Sequence, residues 1–137
     1  MKKILILFSA LLLLAGCSED KSSPTAPTTT AISFANDVQP IFNNNCVGCH
    51  APGGPAPAQI LNLSAGVSYA NLVNKPSAQD ASWLLVDPTD DSKSLLYQKL
   101  KGTATVGFNA VMPPSGALPN DVVDVVEQWL NEGAKNN

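Results

Sequence analysis

The stretch Cys46-Val47-Gly48-Cys49-His50 decides how this chain is read. Two cysteines three positions apart lie on one side of a turn, and the next residue carries an imidazole toward the same region. Such a set suits a haem joined to Cys46 and Cys49 through thioethers, with its iron on His50. Three other readings compete. Structural zinc needs four ligands, usually Cys or His, and this stretch offers three. A disulfide between Cys46 and Cys49 closes too tight a loop to act as a staple and leaves His50 unexplained. A thioredoxin-like pair sits in a strand-to-helix unit, whereas this motif follows a helical pattern.

Upstream, Met1-Lys2-Lys3 is basic, Ile4 to Leu14 is almost wholly apolar, and Leu14-Ala15-Gly16 precedes Cys17. An apolar run of about eleven residues falls short of the roughly twenty that a membrane-spanning helix needs, so residues 1–16 read as a removed export signal. Leu14-Ala15-Gly16-Cys17 resembles the lipobox of bacterial lipoproteins, which implies cleavage before Cys17 and lipid chains on its new N-terminus. The alternative is an ordinary secretory signal with a chance cysteine. Two or three acyl chains hold a protein to a membrane stably where one does not. The expected location is therefore outside the cytoplasm, lipid-anchored to a bacterial membrane and facing the periplasm or the cell exterior. Cys17 takes lipid, Cys46 and Cys49 take haem, and no cysteine is left for a disulfide.

Residues 17–31 read as the lipidated cysteine and a flexible tether. Ser18 to Thr30 is rich in Ser, Thr and Pro and cannot bury enough apolar area to order itself. Extended at about 3.1 Å per residue, these thirteen residues reach roughly 40 Å. Residues 32–137 then form one domain, long enough for a single small core. After signal removal, eleven acidic residues stand against six lysines and no arginine. That balance argues against nucleic acid or an anionic membrane surface as a partner.

Within the domain, Asn36 or Asp37 is expected to start a first helix with Pro40 in its first turn, where a missing N–H is harmless. Val38, Ile41 and Phe42 give that helix an apolar face, and Asn43-Asn44-Asn45 ends it into Cys46. Ala51 to Ala58 is loop by its prolines and glycines. Ser64 is expected to cap a short helix containing Tyr69, Leu72 and Val73. Trp83 to Val86 is an apolar run closed by Asp87-Pro88. Asp90, Asp91 or Ser92 caps a helix through Leu95, Leu96, Tyr97 and Leu100, finished by Lys99, Lys101 and Gly102. Thr103 to Ala117 is a second loop. The last helix runs from about Asn120 to Glu132, because Val122, Val125, Val126 and Trp129 follow helical spacing, with Leu118 stapled to Val123 and Gly133 as the stop. Trp129 is expected against the Val38 and Phe42 side of the first helix.

A haem bound this way usually takes a second axial donor. The chain has one histidine and, beyond Met1, one methionine, Met112, in a proline-stiffened loop 62 residues after His50. A methionine there has no helical face to fill, which favours a ligand role over gap-filling.

Residues 34 to 134 resemble a class I c-type cytochrome domain. The resemblance is carried by Asp37-Val38-Gln39-Pro40-Ile41-Phe42 before the cysteine motif, by Met112-Pro113-Pro114, and by Gln128-Trp129-Leu130-Asn131-Glu132-Gly133-Ala134. It implies an all-α fold of about four helices wrapped around one covalent haem c, with the N- and C-terminal helices crossing, and His50 and Met112 as axial ligands. Two departures stand out. There is no arginine to meet the haem propionates, leaving Lys99, Lys101, Tyr97 and Trp83 as candidates, and Pro119 stands where the family often has a serine cap.

A His/Met pair fills both axial positions and favours iron(II), so the expected role is single-electron transfer between exported or membrane redox partners, not catalysis on a substrate. Two alternatives are a five-coordinate haem suited to sensing or peroxidase chemistry, and a fixed electron-transfer subunit of a larger oxidoreductase. No charged residue occurs from Val38 to Asn74 or from Gly102 to Asn120. The face around the haem is thus expected to be neutral, with acidic charge displaced to 80–91 and 121–132.

Overall fold

Ser33 opens the first helix through a reciprocal cap. Its hydroxyl accepts the Asn36 N–H at 3.2 Å, and Asp37 Oδ2 accepts the Ser33 N–H at 2.7 Å, satisfying donors that have no partner within the helix. The computed structural model describes residues 30–55, 60–105 and 111–137. The export signal, Cys17 and the tether through Thr29 lie outside the described residues.

The helix begins earlier than Asn36 or Asp37, as a π-helical turn over Phe34–Val38 that runs directly into α1, Gln39–Asn45. Pro40 therefore stands inside a continuous helical run. Proline there lacks an N–H and presses its ring on the carbonyl one turn back, and the wider π turn just ahead of it relieves both demands. The start of this helix and the residues before it are held from a hundred or more residues away. Ile32 N–H donates to Glu132 Oε2 at 2.9 Å, Phe34 N–H to Asn137 Oδ1 at 2.8 Å, and Ala35 N–H to the Asn137 carbonyl at 2.9 Å.

The short α2, Ser68–Leu72, starts four residues after Ser64. Ser64 contributes its carbonyl, which accepts the Val67 and Ser68 N–H groups, rather than a side-chain cap. The apolar run at Trp83 to Val86 forms isolated bridges, Pro76 with Leu84, Val73 with Val86 and Leu84 with Ser94, so it stitches the exit of α2 to the approach of the next helix. Asp90 caps a 3₁₀ turn at Asp91–Lys93, accepting the Ser92 N–H at 3.0 Å. Helix α3, Leu95–Lys101, follows and ends as expected at Gly102, whose φ of +70° a side-chain-bearing residue rarely adopts. Helix α4 is Asn120–Asn131, close to the expected span, with Pro119 ahead of it and Gly133 stopping it at φ +89°.

Among the described residues the structure is helices and turns with no strand beyond those bridges, in keeping with the all-α expectation. The first and last helical segments pack together. Trp129 is fully buried, with its ring 5.2 Å from Phe34 and 6.5 Å from Tyr69. Val38 and Phe42 belong to the same core, but the nearest ring partner lies one to two turns earlier than expected. The buried face of α4 is Val123, Val126, Trp129 and Leu130, with Val122 and Val125 only half-buried.

Candidate functional site

Helix α1 delivers the chain into the cysteine motif. The Phe42 carbonyl accepts the N–H groups of Cys46 and Val47 at 2.9 and 3.0 Å, and the Cys46 carbonyl then accepts those of Cys49 and His50 at 3.0 and 2.8 Å. This tight turn brings Cys46, Cys49 and His50 to the border of one cavity. The His50 carbonyl is secured in turn by the Leu63 N–H at 2.8 Å. Leu63 is held by Gln39, whose Nε2 donates to the Leu63 carbonyl at 3.1 Å and to Asn43 Oδ1 at 2.9 Å, while its Oε1 accepts the Ser68 hydroxyl. Gln39 is only 6% exposed, so its amide is a buried brace whose polar atoms are satisfied. Nothing in its spacing distinguishes it from a surface glutamine.

Gly54 is a second support that the sequence reading passes over as loop. A Cβ placed there would lie 2.1 Å from the Cys49 carbonyl oxygen and 2.9 Å from its carbon. Both are backbone atoms that cannot swing aside, so the close approach requires glycine. Gly54→Ala is expected to displace the turn that carries Cys49 and His50 and to cost about 1–3 kcal/mol. Thermal unfolding measures the cost.

Met112 is positioned from α3. Its N–H donates to the Lys99 carbonyl at 2.9 Å, so the proline-rich loop hangs from the end of that helix. Residues 106–110 of the loop lie outside the described residues. Met112 is half-buried, and it lines the same cavity as Cys46, Cys49 and His50. The cavity measures about 1260 Å³, larger than the roughly 300–1,000 Å³ of most small-molecule sites. Its walls include Leu63, Leu72, Leu85, Leu95 and Leu100.

Both cysteines of the motif are unbridged. Burial, and then the neighbouring Cys49, pushes the Cys46 thiol up to about 11. A redox-active pair depends on a thiol lowered toward neutrality, so this environment disfavours the thioredoxin-like reading. Among the described residues no three Cys, His, Asp or Glu side chains gather around one point, which leaves a zinc centre without its donor set.

The charged neighbours differ from the expected ones. Lys99 lines the cavity and is 7% exposed; burial lowers its pKa from the ordinary lysine value. Lys75, which the sequence reading did not single out, also lines it and is exposed. Leu85 N–H donates to the Lys75 carbonyl at 2.7 Å, and this pairing across a loop brings Lys75 to the cavity with no periodic signal. Lys101, Tyr97 and Trp83 do not line it. Tyr97 turns toward α4, where burial and a hydrogen bond with Glu127 raise its pKa, and the Lys101 ammonium lies 5.9 Å from the Tyr97 ring centroid. The expected neutral face therefore carries two lysines, one buried and one exposed.

Residues 1–18 match the prokaryotic membrane lipoprotein lipid attachment site. This supports attachment to a bacterial membrane through lipid on cysteine. No helix among the described residues is long and apolar enough to cross a membrane. No curated protein and no solved structure matches the chain.

Proposed function

We propose that this protein is a lipid-tethered, mono-haem c-type cytochrome that carries single electrons between exported or membrane redox partners. The observation that carries the proposal is the convergence of Cys46, Cys49, His50 and Met112 on one large cavity, although Met112 is 62 residues from His50 in sequence. The residues fit a haem by donor chemistry: two thiols for the thioethers, an imidazole and a thioether sulfur for the iron, and leucine walls for the ring. Bound there, a haem supplies a one-electron iron couple.

The chain's own contributions are separable. Cys46 and Cys49 would hold the group covalently, and the turn closed by the Cys46 carbonyl sets their spacing. His50 is steadied through Leu63 and Gln39, and Met112 through the Lys99 carbonyl. Anchoring both donors to helices favours keeping them in place as the charge of the site changes. The leucine walls exclude water, and a Met donor favours the reduced state. Cys17 and the tether through residue 31 would let the domain swing from its membrane. The small all-helical core, with first and last helices packed together, supports the class I cytochrome resemblance as the fold.

The test is a redox titration of the purified protein followed by optical spectroscopy, with the mass of the intact chain. One haem per chain, a c-type reduced spectrum and a single one-electron wave are expected. A chain that carries no covalent haem when made in a host able to attach it would overturn the proposal.

The charge pattern gives a kinetic expectation. Lys75 is the exposed cation that lines the cavity among the described residues, and the segments 38–74 and 102–120, which carry the cysteine motif and Met112, are uncharged. Electron transfer to a natural partner should change by less than about threefold between low and physiological ionic strength, against the 10–10³-fold available to strongly steered pairs. Stopped-flow kinetics over a salt series measures this, and a steep loss of rate would mean that the acidic faces at 80–91 and 121–132 do the docking.

A further inference from the structure

The cavity carries charge of one sign. Lys99 and Lys75 line it, and no aspartate or glutamate does so among the described residues. Apolar walls screen poorly, so the field of two ammonium groups persists inside and favours an anionic occupant. The chain has no arginine, and so lacks the planar fork that pairs with a carboxylate through two parallel bonds. Lysine pairs instead as a point charge, one ammonium to one carboxylate.

A haem is an apolar disc with two propionate carboxylates on one edge. An apolar cavity with two cations and no acid complements that chemistry. We propose, on the basis of the haem reading above, that Lys99 and Lys75 each take one propionate, Lys99 inside the cavity and Lys75 at its surface. Their exposures set this division, since Lys99 is 7% exposed and Lys75 is open to solvent. Lys99 is also the residue whose carbonyl accepts the Met112 N–H at 2.9 Å. Pairing at its side chain therefore steadies the same helix end from which the Met112 loop hangs. It acts as a positioning residue as well as a charge.

An ammonium near the ring favours the state with one more electron. Removing it should therefore lower the reduction potential, most at the buried position, where solvent screens least. Lys99→Met keeps a long apolar stem in the same space and removes only the charge. It should shift the reduced-to-oxidised ratio at fixed potential about tenfold toward the oxidised form, a fall of about 59 mV for one electron. Lys99→Arg should restore the ratio to within about twofold. Lys75→Gln should shift it less, by an amount that high salt abolishes.

The experiment compares these three variants with the wild type by redox titration and by reduced-minus-oxidised infrared difference spectra, with propionate carboxyls labelled with carbon-13. The expected result is a lowered potential together with moved propionate bands in Lys99→Met, and recovery of both in Lys99→Arg. An unchanged potential in Lys99→Met, or a lowered potential with propionate bands unmoved, overturns the assignment. If Lys99→Met does not assemble, moved propionate bands in Lys75→Gln and retained ones in Lys99→Arg support the pairing, and unmoved bands in Lys75→Gln overturn it. Haem content by mass separates the two levels of argument: a wild type without covalent haem sinks the cytochrome reading and this assignment together, whereas haem-loaded variants with unchanged potentials sink this assignment alone.

Discussion

Met112→Ala is expected to abolish the weak near-infrared sulfur-to-iron(III) band and to lower the reduction potential by roughly 0.1–0.3 V, part of the about 0.8 V over which axial ligands move haem potentials. Thioether attachment at Cys46 and Cys49 should persist. The effect is large because the chain has no substitute of the same kind. In the proposed site its one histidine would already be the first donor, and Met1 lies in the lipid attachment signal at residues 1–18. The fold should tolerate the change, since Met112 is half-buried and the backbone bond from its N–H to the Lys99 carbonyl is independent of the side chain. Far-ultraviolet circular dichroism should therefore match that of the wild type. Retention of the band in Met112→Ala would mean that the sulfur comes from elsewhere or that the iron was never ligated by it. A wild type lacking the band would favour the five-coordinate alternative, with its open position for a gas or peroxide.

The parts of this site that follow from local rules were readable from sequence, and the parts that depend on distant backbone were not. A cysteine pair next to histidine states its own geometry, because three neighbouring residues on one turn need no tertiary information. Elimination singles out Met112 as a candidate donor, but its place at the same cavity involves a backbone hydrogen bond to Lys99 across a loop. Lys75 reached the cavity through a backbone pairing with Leu85, which leaves no trace in spacing or composition. The first helix lies where its apolar pattern points but starts earlier, because the π turn depends on Ser33 and on Glu132 and Asn137 holding the neighbouring residues from the far end of the domain. In α4 the valines at 122, 123, 125 and 126 allow more than one helical face. Periodicity chose a helix over a strand, but which valines point inward was decided by the rings of Phe34 and Tyr69 that meet Trp129.

That meeting point supplies the largest stability prediction. Trp129 has no exposed surface, touches both Phe34 and Tyr69, and donates its indole N–H to the Lys135 carbonyl at 2.9 Å. Just beyond it, the Ala134 carbonyl accepts the Tyr69 hydroxyl at 2.9 Å, so one side chain joins α4, the first helix and α2. Trp129→Ala should cost about 3–5 kcal/mol, a large share of the roughly 5–15 kcal/mol that holds a domain together. For a domain of this size that is a fall in Tm of roughly 15–30 °C. Trp129→Phe keeps most of the buried ring and forfeits the indole bond, whose acceptor lies on an exposed residue that water can reach, so about 1–2 kcal/mol is expected. Met112→Ala and Trp129→Ala should separate ligation from folding. In Trp129→Ala the near-infrared band should be present at low temperature and melt together with helicity, because in the proposed site Met112 would stay on the iron only while α3 holds its loop. In Met112→Ala the band should be absent at every temperature while helicity persists. A Trp129→Ala protein that melts within a few degrees of the wild type would mean that covalent haem, rather than the contact between the first and last helices, carries most of the stability.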